Sequence, residues 1–293
     1  MRYAFRRKAL IKRNLPYLWW QYIGNGRRTL KARKAEARFA DTSQIAQQLA
    51  KDGIVFGPSE TFLTPKGIRA LAEVAQSVLV LSRSDHVQSI VAKGASDYKK
   101  SYLVHLLPWD HEHPIDSPLM RLALDPKLLE TISLYLGLWP RLHAIGAWLN
   151  FPMEGEATEA QLWHRDPEDL RLIKVFIYLN DVGEESGPFS YIRRTHPFSE
   201  GAGLVPPHKD SKRITDEEMQ RVFPPNTWLA CTGPANTMIL ADTVGYHRGG
   251  KPAKGNRILV TLTYTSGTPL SKRKLRVTGK PSSELTKIQR EAL

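Results

Sequence analysis

Trp163-His164-Arg165-Asp166, followed by Leu172-Ile173-Lys174-Val175-Phe176-Ile177-Tyr178-Leu179, is the stretch from which the rest of the chain can be read. A His and an Asp two apart on extended backbone project to the same face. His164 and Asp166 therefore aim one imidazole and one carboxylate at a single point. That is two thirds of the 2-His-1-carboxylate set that holds non-haem Fe(II) and leaves coordination positions open. The third ligand has to come from a neighbouring strand. His247, in Asp242-Thr243-Val244-Gly245-Tyr246-His247, is the candidate. Arg257 heads the strand-like run Ile258–Tyr264, where its planar fork could grip the carboxylate of a 2-oxoacid.

A lone His-x-Asp is a weak signal, and a solvated loop pair is its ordinary reading. The order His-x-Asp, strand, Gly-Pro turn, strand, late His and strand-borne Arg is far more specific. The pieces are Gln161-Leu162-Trp163-His164-Arg165-Asp166, Tyr178-Leu179-Asn180-Asp181-Val182, Ser186-Gly187-Pro188 leading to Ile192–His196, and Gly233-Pro234 leading to Asp242 and His247. Over roughly residues 145–265 this resembles the phytanoyl-CoA dioxygenase family of Fe(II)/2-oxoglutarate oxygenases.

The resemblance implies a mainly β fold with flanking helices, a double-stranded β-helix of the jelly-roll or cupin-like kind. It implies Fe(II), 2-oxoglutarate and O2, with succinate and CO2 released as an unactivated C–H bond is hydroxylated. It casts His164, Asp166 and His247 as metal ligands and Arg257 as the partner of the far carboxylate of 2-oxoglutarate. It also places Asn150 and Lys174 toward the cosubstrate, with Lys174 meeting a carboxylate of 2-oxoglutarate or of substrate. A strand-ending Asn and a surface Lys are the ordinary alternatives. An Asp at 166, where related halogenases lack the carboxylate, favours hydroxylation over desaturation or epimerisation. Trp163 and His196, nearest the predicted site, are candidate substrate contacts, although a His capping a turn is equally ordinary.

The sequence also departs from the family. A Pro-Gly-Ser-His turn is replaced by Arg193-Arg194-Thr195-His196, which loses the residue that adopts positive φ most easily. Gly249 stands where a Ser is usual, and one cosubstrate hydroxyl contact is then lost or supplied elsewhere.

Composition bounds the rest. At 293 residues with 41% hydrophobic content, the chain can bury a sizeable core. Its single Cys231 excludes a disulfide framework and suits a reducing cytoplasm. No apolar run reaches the ~20 residues of a membrane span. Leu15–Gly24 is short, interrupted and without a small-residue cleavage site, so a secretory signal is not expected.

The net charge of +13 is unevenly placed: +11 over residues 1–40, −6 over 41–250 and +8 over 251–293. A mildly acidic body argues against a groove that reads nucleic acid. In residues 1–41, basic side chains surround Tyr17, Trp19, Trp20 and Tyr22. Three readings stand: an anionic membrane surface, a helix packed on the body with its basic face in water, and contact with RNA. With the oxygenase domain assigned to 42–265 and a basic tail to 266–293, peripheral attachment at the inner membrane face and a lipid- or glycan-linked substrate are the corresponding expectations.

Local signals fill in the elements. Thr42 or Ser43 caps a helix through Lys51, and Asp52–Gly57 makes a turn and a strand. Thr64-Pro65 and Asp125-Pro126 are cap-plus-proline openings, the first for a helix to about Ser82 and the second for one ending at Gly137. Residues 83–101 give no clear pattern. Strands are expected at Ser101–Leu107, Leu142–Phe151, Trp228–Thr232 and Asn236–Ala241. The polar insert 199–226 is a candidate substrate lid, with a capping box, Thr215 and Glu218, opening a helix to Val222. A last helix is expected at Ser283–Leu293. His105, His111 and His113 form a rival metal cluster, but proline-flanked loop is its simpler reading. Two other classes of function remain: a metal-binding jelly roll without oxygenase activity, and an adaptor acting through the basic N-terminus.

Overall fold

The computed structural model describes residues 16–35, 42–93, 101–107, 111–204, 213–273 and 275–293. Its strands are β1 (Ile54–Pro58), β2 (Leu103–Leu107), β3 (Glu112–Pro114), β4 (Arg141–Asn150), β5 (Ile173–Tyr178), β6 (Phe189–Ile192), β7 (Trp228–Cys231), β8 (Thr237–Ala241), β9 (His247–Gly249), β10 (Arg257–Thr265) and β11 (Arg276–Thr278). Period-two alternation gives them two unlike faces. In β5, Ile173, Val175 and Ile177 join the cluster shared with the helices, while Phe176 and Tyr178 face the other way. In β10, Val260, Leu262 and Tyr264 take the helix side, leaving Arg257, Leu259, Thr261 and Thr263 to the interior of the fold.

β1-β8-β5-β10-β4-β2 form a six-stranded sheet and β7-β6-β9 a three-stranded one. All the pairings within these two sheets are antiparallel. His164 pairs with His247 and so extends the smaller sheet beyond β9. From Arg141 onward the chain passes repeatedly from one sheet to the other. That weave is a double-stranded β-helix, the jelly roll expected from the sequence.

The helices cover the outer face of the larger sheet. Three of them, Pro65–Ser82, Pro118–Ala123 and Pro126–Leu136, open with a capping side chain followed by proline. Proline there loses no hydrogen bond, because the first N–H groups of a helix have no internal acceptor. Asp125 serves two helices: its carboxylate accepts from the backbone N–H of Lys127 and Leu128 and from the Thr64 hydroxyl at 2.5 Å.

Some local expectations needed revision. Residues Asp85–Lys93 are helical, although their pattern gave no signal. The Thr215 capping box is present, but its helix is a single turn, Asp216–Met219. Glu112–Pro114 is a strand paired in parallel with Arg276–Thr278, so His113 is fixed where a loop was expected. Residues 205–212, most of the lid candidate's centre, lie outside the described residues, as do 1–15 and 36–41 of the N-terminal segment. Among the described residues, no helix is long and apolar enough to cross a membrane.

Trp19–Gly24 forms a π-helix and Gly26–Ala35 an α-helix. Trp20 is buried, and its indole N–H donates to Asp169 at 2.7 Å. Arg28 donates to the carbonyls of Trp139 and Pro140. This segment therefore packs on the body through one side.

In the turn Arg193–His196, Arg194 adopts φ +61. Its N–H donates to Asp52 O at 3.0 Å, a contact that requires this backbone path. A side chain in the left-handed region costs about 1 kcal/mol. Its ion pairs with Asp52 and Glu200, at 3.8 and 3.6 Å, are long and partly exposed and return little. Arg194→Gly should raise stability by about 0.5–1 kcal/mol in urea denaturation; an equal or lower midpoint would mean that the ion pairs outweigh the strain.

Candidate metal centre

The two histidines are delivered by backbone pairing. The N–H of each donates to the carbonyl of the other, at 2.9 and 3.0 Å. Asp166 N–H then donates to Thr243 O at 2.8 Å, which fixes the carboxylate on the same side. One ligand atom from each of His164, Asp166 and His247 lies within 4.8 Å of the others, and among the described residues no other group of His, Cys, Asp or Glu converges in this way.

The tautomers follow from the second nitrogen of each ring. His164 Nδ1 lies 2.8 Å from Leu162 O, and His247 Nδ1 lies 3.0 Å from Gly245 O. A carbonyl only accepts, so each Nδ1 carries a proton and each Nε2 is the ring atom turned toward the centre. Burial, reinforced by nearby His247, pushes the His164 imidazole well below its ordinary pKa and keeps it neutral. Burial alone would raise the Asp166 carboxyl; Lys174, His247 and His164 outweigh that effect and hold it well below the usual range. Two imidazoles and one carboxylate are a donor set for a divalent transition metal.

Lys174 turns inward on β5, but its ammonium is held by protein carboxylates. It donates to Asp166 Oδ2 at 2.7 Å and to Glu168 Oε1 at 3.0 Å. The expected partner was a carboxylate of 2-oxoglutarate or of substrate; the carboxylates it meets within the chain are Asp166, through one oxygen, and Glu168. The 166–168 turn brings both acids to the end of β5, which the sequence spacing did not reveal.

A cavity of about 500 Å³ opens beside the triad, lined by Asn150, Lys174, Phe176, Arg257, Thr261 and Ser271, among others. Arg257 sits opposite Asn150 in the β10–β4 register. Its guanidinium is buried, and burial lowers its pKa. Nε has no hydrogen-bond partner, and the one contact of Nη1 is Gly250 O at 3.5 Å. Among the described residues no carboxylate pairs with it. A buried cation left this way facing a cavity calls for an anion. Gly249 lies against it: a Cβ there would sit 3.0 Å from Nη2. A serine at 249 would therefore crowd the guanidinium, which would have to give by a few tenths of an ångström.

Two sequence candidates point elsewhere. Trp163 is fully buried on the outer side of the smaller sheet, donating to Asp216 at 2.8 Å and carrying the Arg248 guanidinium over its ring. Alternation explains this, since its neighbour His164 faces in. His196 is buried against the helix Ser43–Asp52, with Nε2 at 3.1 Å from Ala50 O, and does not line the cavity. His105 packs at a tilt against Trp148, with ring centroids 4.2 Å apart, while His111 and His113 contact each other.

Sequence reasoning missed the support beneath the His247 loop. Asp242 is fully buried, accepting from Tyr135 Oη at 2.6 Å and from Val244 N–H at 3.0 Å. Burial pushes its carboxyl up to about 6, against Arg171 and Tyr135, which pull it down.

Two outcomes follow. His164→Ala or Asp166→Ala should abolish stoichiometric Fe(II) or Co(II) binding in calorimetric titration while leaving the fold intact by circular dichroism. Asp242 has a folded pKa above the ~3.9 of an unfolded Asp, so its favourable share of stability is complete below that value and lost as pH rises through about 6. Urea denaturation of Asp242→Asn beside the parent should therefore shift in the variant's favour by about 2–3 kcal/mol between pH 4 and pH 7. A pH-independent difference would show that Asp242 is ionised throughout.

No protein-family model matches the sequence, and no curated protein matches it. Solved structures do. The non-haem α-ketoglutarate-dependent epimerase SnoN from nogalamycin biosynthesis aligns over 80% of this chain and 84% of its own, at 16% identity and TM-score 0.50. SnoN in complex with Fe3+, α-ketoglutarate and nogalamycin RO aligns over 80% and 87%, at 17% identity and TM-score 0.49. EctD from S. alaskensis with 2-oxoglutarate and 5-hydroxyectoine aligns over 76% and 75%, at 21% identity and TM-score 0.46. The first of these likenesses, with the strand weave, establishes the chain as a double-stranded β-helix of the jelly-roll kind.

Proposed function

We propose that this chain is an Fe(II)- and 2-oxoglutarate-dependent oxygenase of the phytanoyl-CoA dioxygenase type, hydroxylating an unactivated C–H bond of a small molecule. One observation carries the reading: a buried arginine with no carboxylate partner among the described residues, Arg257, shares a cavity with two imidazoles and a carboxylate. Metal binding alone does not require that arginine, whereas a dicarboxylate cosubstrate does.

His164, Asp166 and His247 would hold Fe(II), and Arg257 would hold the far carboxylate of 2-oxoglutarate through its planar fork. Bound together with O2, these groups supply the oxidising power for C–H hydroxylation, with succinate and CO2 released. The chain's own work is to orient and to exclude water. Lys174 fixes the Asp166 carboxylate, and the Nδ1 bonds to Leu162 and Gly245 fix the rings. Phe176 and Phe189, with ring centroids 4.3 Å apart, form an apolar wall. Tyr178 Oη bridges Phe189 N–H and Cys231 O, locking β5 to the smaller sheet beside the site. His143, Thr263, Ser271 and Glu168 give another part of the lining a polar character. A cavity of about 500 Å³ takes 2-oxoglutarate and the reacting end of a substrate, so any lipid or glycan remainder projects from the mouth.

The test is succinate formation from 2-oxoglutarate with Fe(II) and O2 over a panel of metabolites and glycolipids, seeking substrate-coupled turnover. His164→Ala should abolish it. Arg257→Gln should raise the Kd for 2-oxoglutarate about 10- to 100-fold, the loss of a charge-assisted pair, while Fe(II) affinity is unchanged. Fe(II) binding without any 2-oxoglutarate binding would identify a metal-holding jelly roll instead.

A further inference from the structure

The N-terminal segment has an inner side and an outer side. Trp20, Asn25, Thr29 and Ala32 are buried. Leu18, Trp19, Tyr22 and Ile23 form a continuous outward set, with Trp19 60% and Ile23 71% exposed. Leu30, 61% exposed, belongs to the next helix. The two pieces are tied together: Arg33 donates to Tyr22 Oη at 2.8 Å, and Thr29 Oγ1 donates to Gln21 O at 2.8 Å. Arg27, Arg33 and Lys34 are exposed on the same helix as Leu30. No acid occurs in residues 1–35, and residues 1–40 carry a net charge of +11. Among the described residues, nothing covers this apolar, aromatic surface rimmed by cations.

We propose that this face seats on an anionic lipid surface. Indole and phenol rings suit the headgroup level, aliphatic side chains suit the acyl boundary just beneath, and Lys and Arg meet anionic headgroups. A second copy of the chain is a poor occupant, because both copies would bring the same strong positive charge. A nucleic acid would use the cations and stack on the rings, but it has no use for exposed Leu18, Ile23 and Leu30.

The placement also bears on the cavity. Asn25 accepts from Gly267 N–H at 2.9 Å and donates to Thr268 Oγ1 at 3.0 Å, and Trp20 holds Asp169. Those two loops carry Ser271 and Glu168 into the cavity lining. Leu270, 65% exposed, lies between the contact with Asn25 and the cavity residue Ser271. Seating this face would bring the cavity loops close to the bilayer.

The test is co-sedimentation of the full chain with vesicles of phosphatidylcholine alone and of phosphatidylcholine with phosphatidylglycerol. Binding is expected to the second vesicle and not the first, weakening as salt is added. The double variant Trp19→Ser, Ile23→Ser should lose about tenfold or more in apparent affinity with an unchanged thermal midpoint. The triple variant Arg27→Gln, Arg33→Gln, Lys34→Gln should lose the preference for anionic vesicles. No vesicle binding, or unchanged binding by the serine variant, overturns the proposal. So does retention on poly(U) RNA, or concentration-dependent self-association seen by ultracentrifugation, if either is abolished by the serine variant while vesicles are ignored.

Discussion

The reciprocal backbone pair between His164 and His247 is the constraint on which the site depends. Two N–H···O bonds set the residues opposite each other across the edge of the smaller sheet. Because side chains alternate along extended backbone, one shared register decides that both imidazoles face inward, and that Asp166, two positions on, follows them. A slip of one residue would turn all three outward and bring Trp163 into the interior. The burial of Trp163 on the far side, against Trp228 and Arg248, opposes that slip by packing.

Around this pair the chain arranges charge in two ways. At the triad, opposite charges are matched: Asp166 pairs with Lys174, and Lys174 in turn reaches Glu168. At Arg257, the balance is left open. Other arginines, Arg165 and Arg273 among them, also have a guanidinium nitrogen without a hydrogen bond, but Arg257 is buried, lines the cavity and has no carboxylate partner among the described residues, which is unfavourable in an isolated folded chain. The matched group has the donor chemistry of a metal site, and the unmatched arginine has the charge to suit an anion, the two features on which the proposed function rests. Their coexistence in one cavity is the strongest physical indication of chemistry in this molecule.

The support beneath the site is equally physical. Asp242 ties Tyr135, on a helix, to the loop that ends in His247, and Arg171 stacks on the Tyr135 ring. Arg194 accepts a left-handed backbone to reach Asp52 O, while His196 braces the end of the same helix at Ala50. These contacts connect the helical layer to the smaller sheet, so the metal ligands are held from both sides.

Much of this was determined by the sequence alone. His-x-Asp before an alternating strand, a late His and a strand-borne Arg depend on spacing along the backbone, and local geometry converts spacing directly into direction. The cap-plus-proline openings at Thr64 and Asp125 are local for the same reason. Other features depended on which distant segments meet, and no short-range pattern encodes that. Lys174 found Asp166 and Glu168 where a cosubstrate was expected, because a turn of the chain brought those acids to it. Trp163, beside His164 in sequence, was turned away from the cavity by alternation, and His196 was carried away from it by packing. The outward face of Trp19 and Ile23 became visible only once Trp20 had committed the opposite side to Asp169. Residue type and period fix what a strand can present; the tertiary structure alone decides what it is presented to.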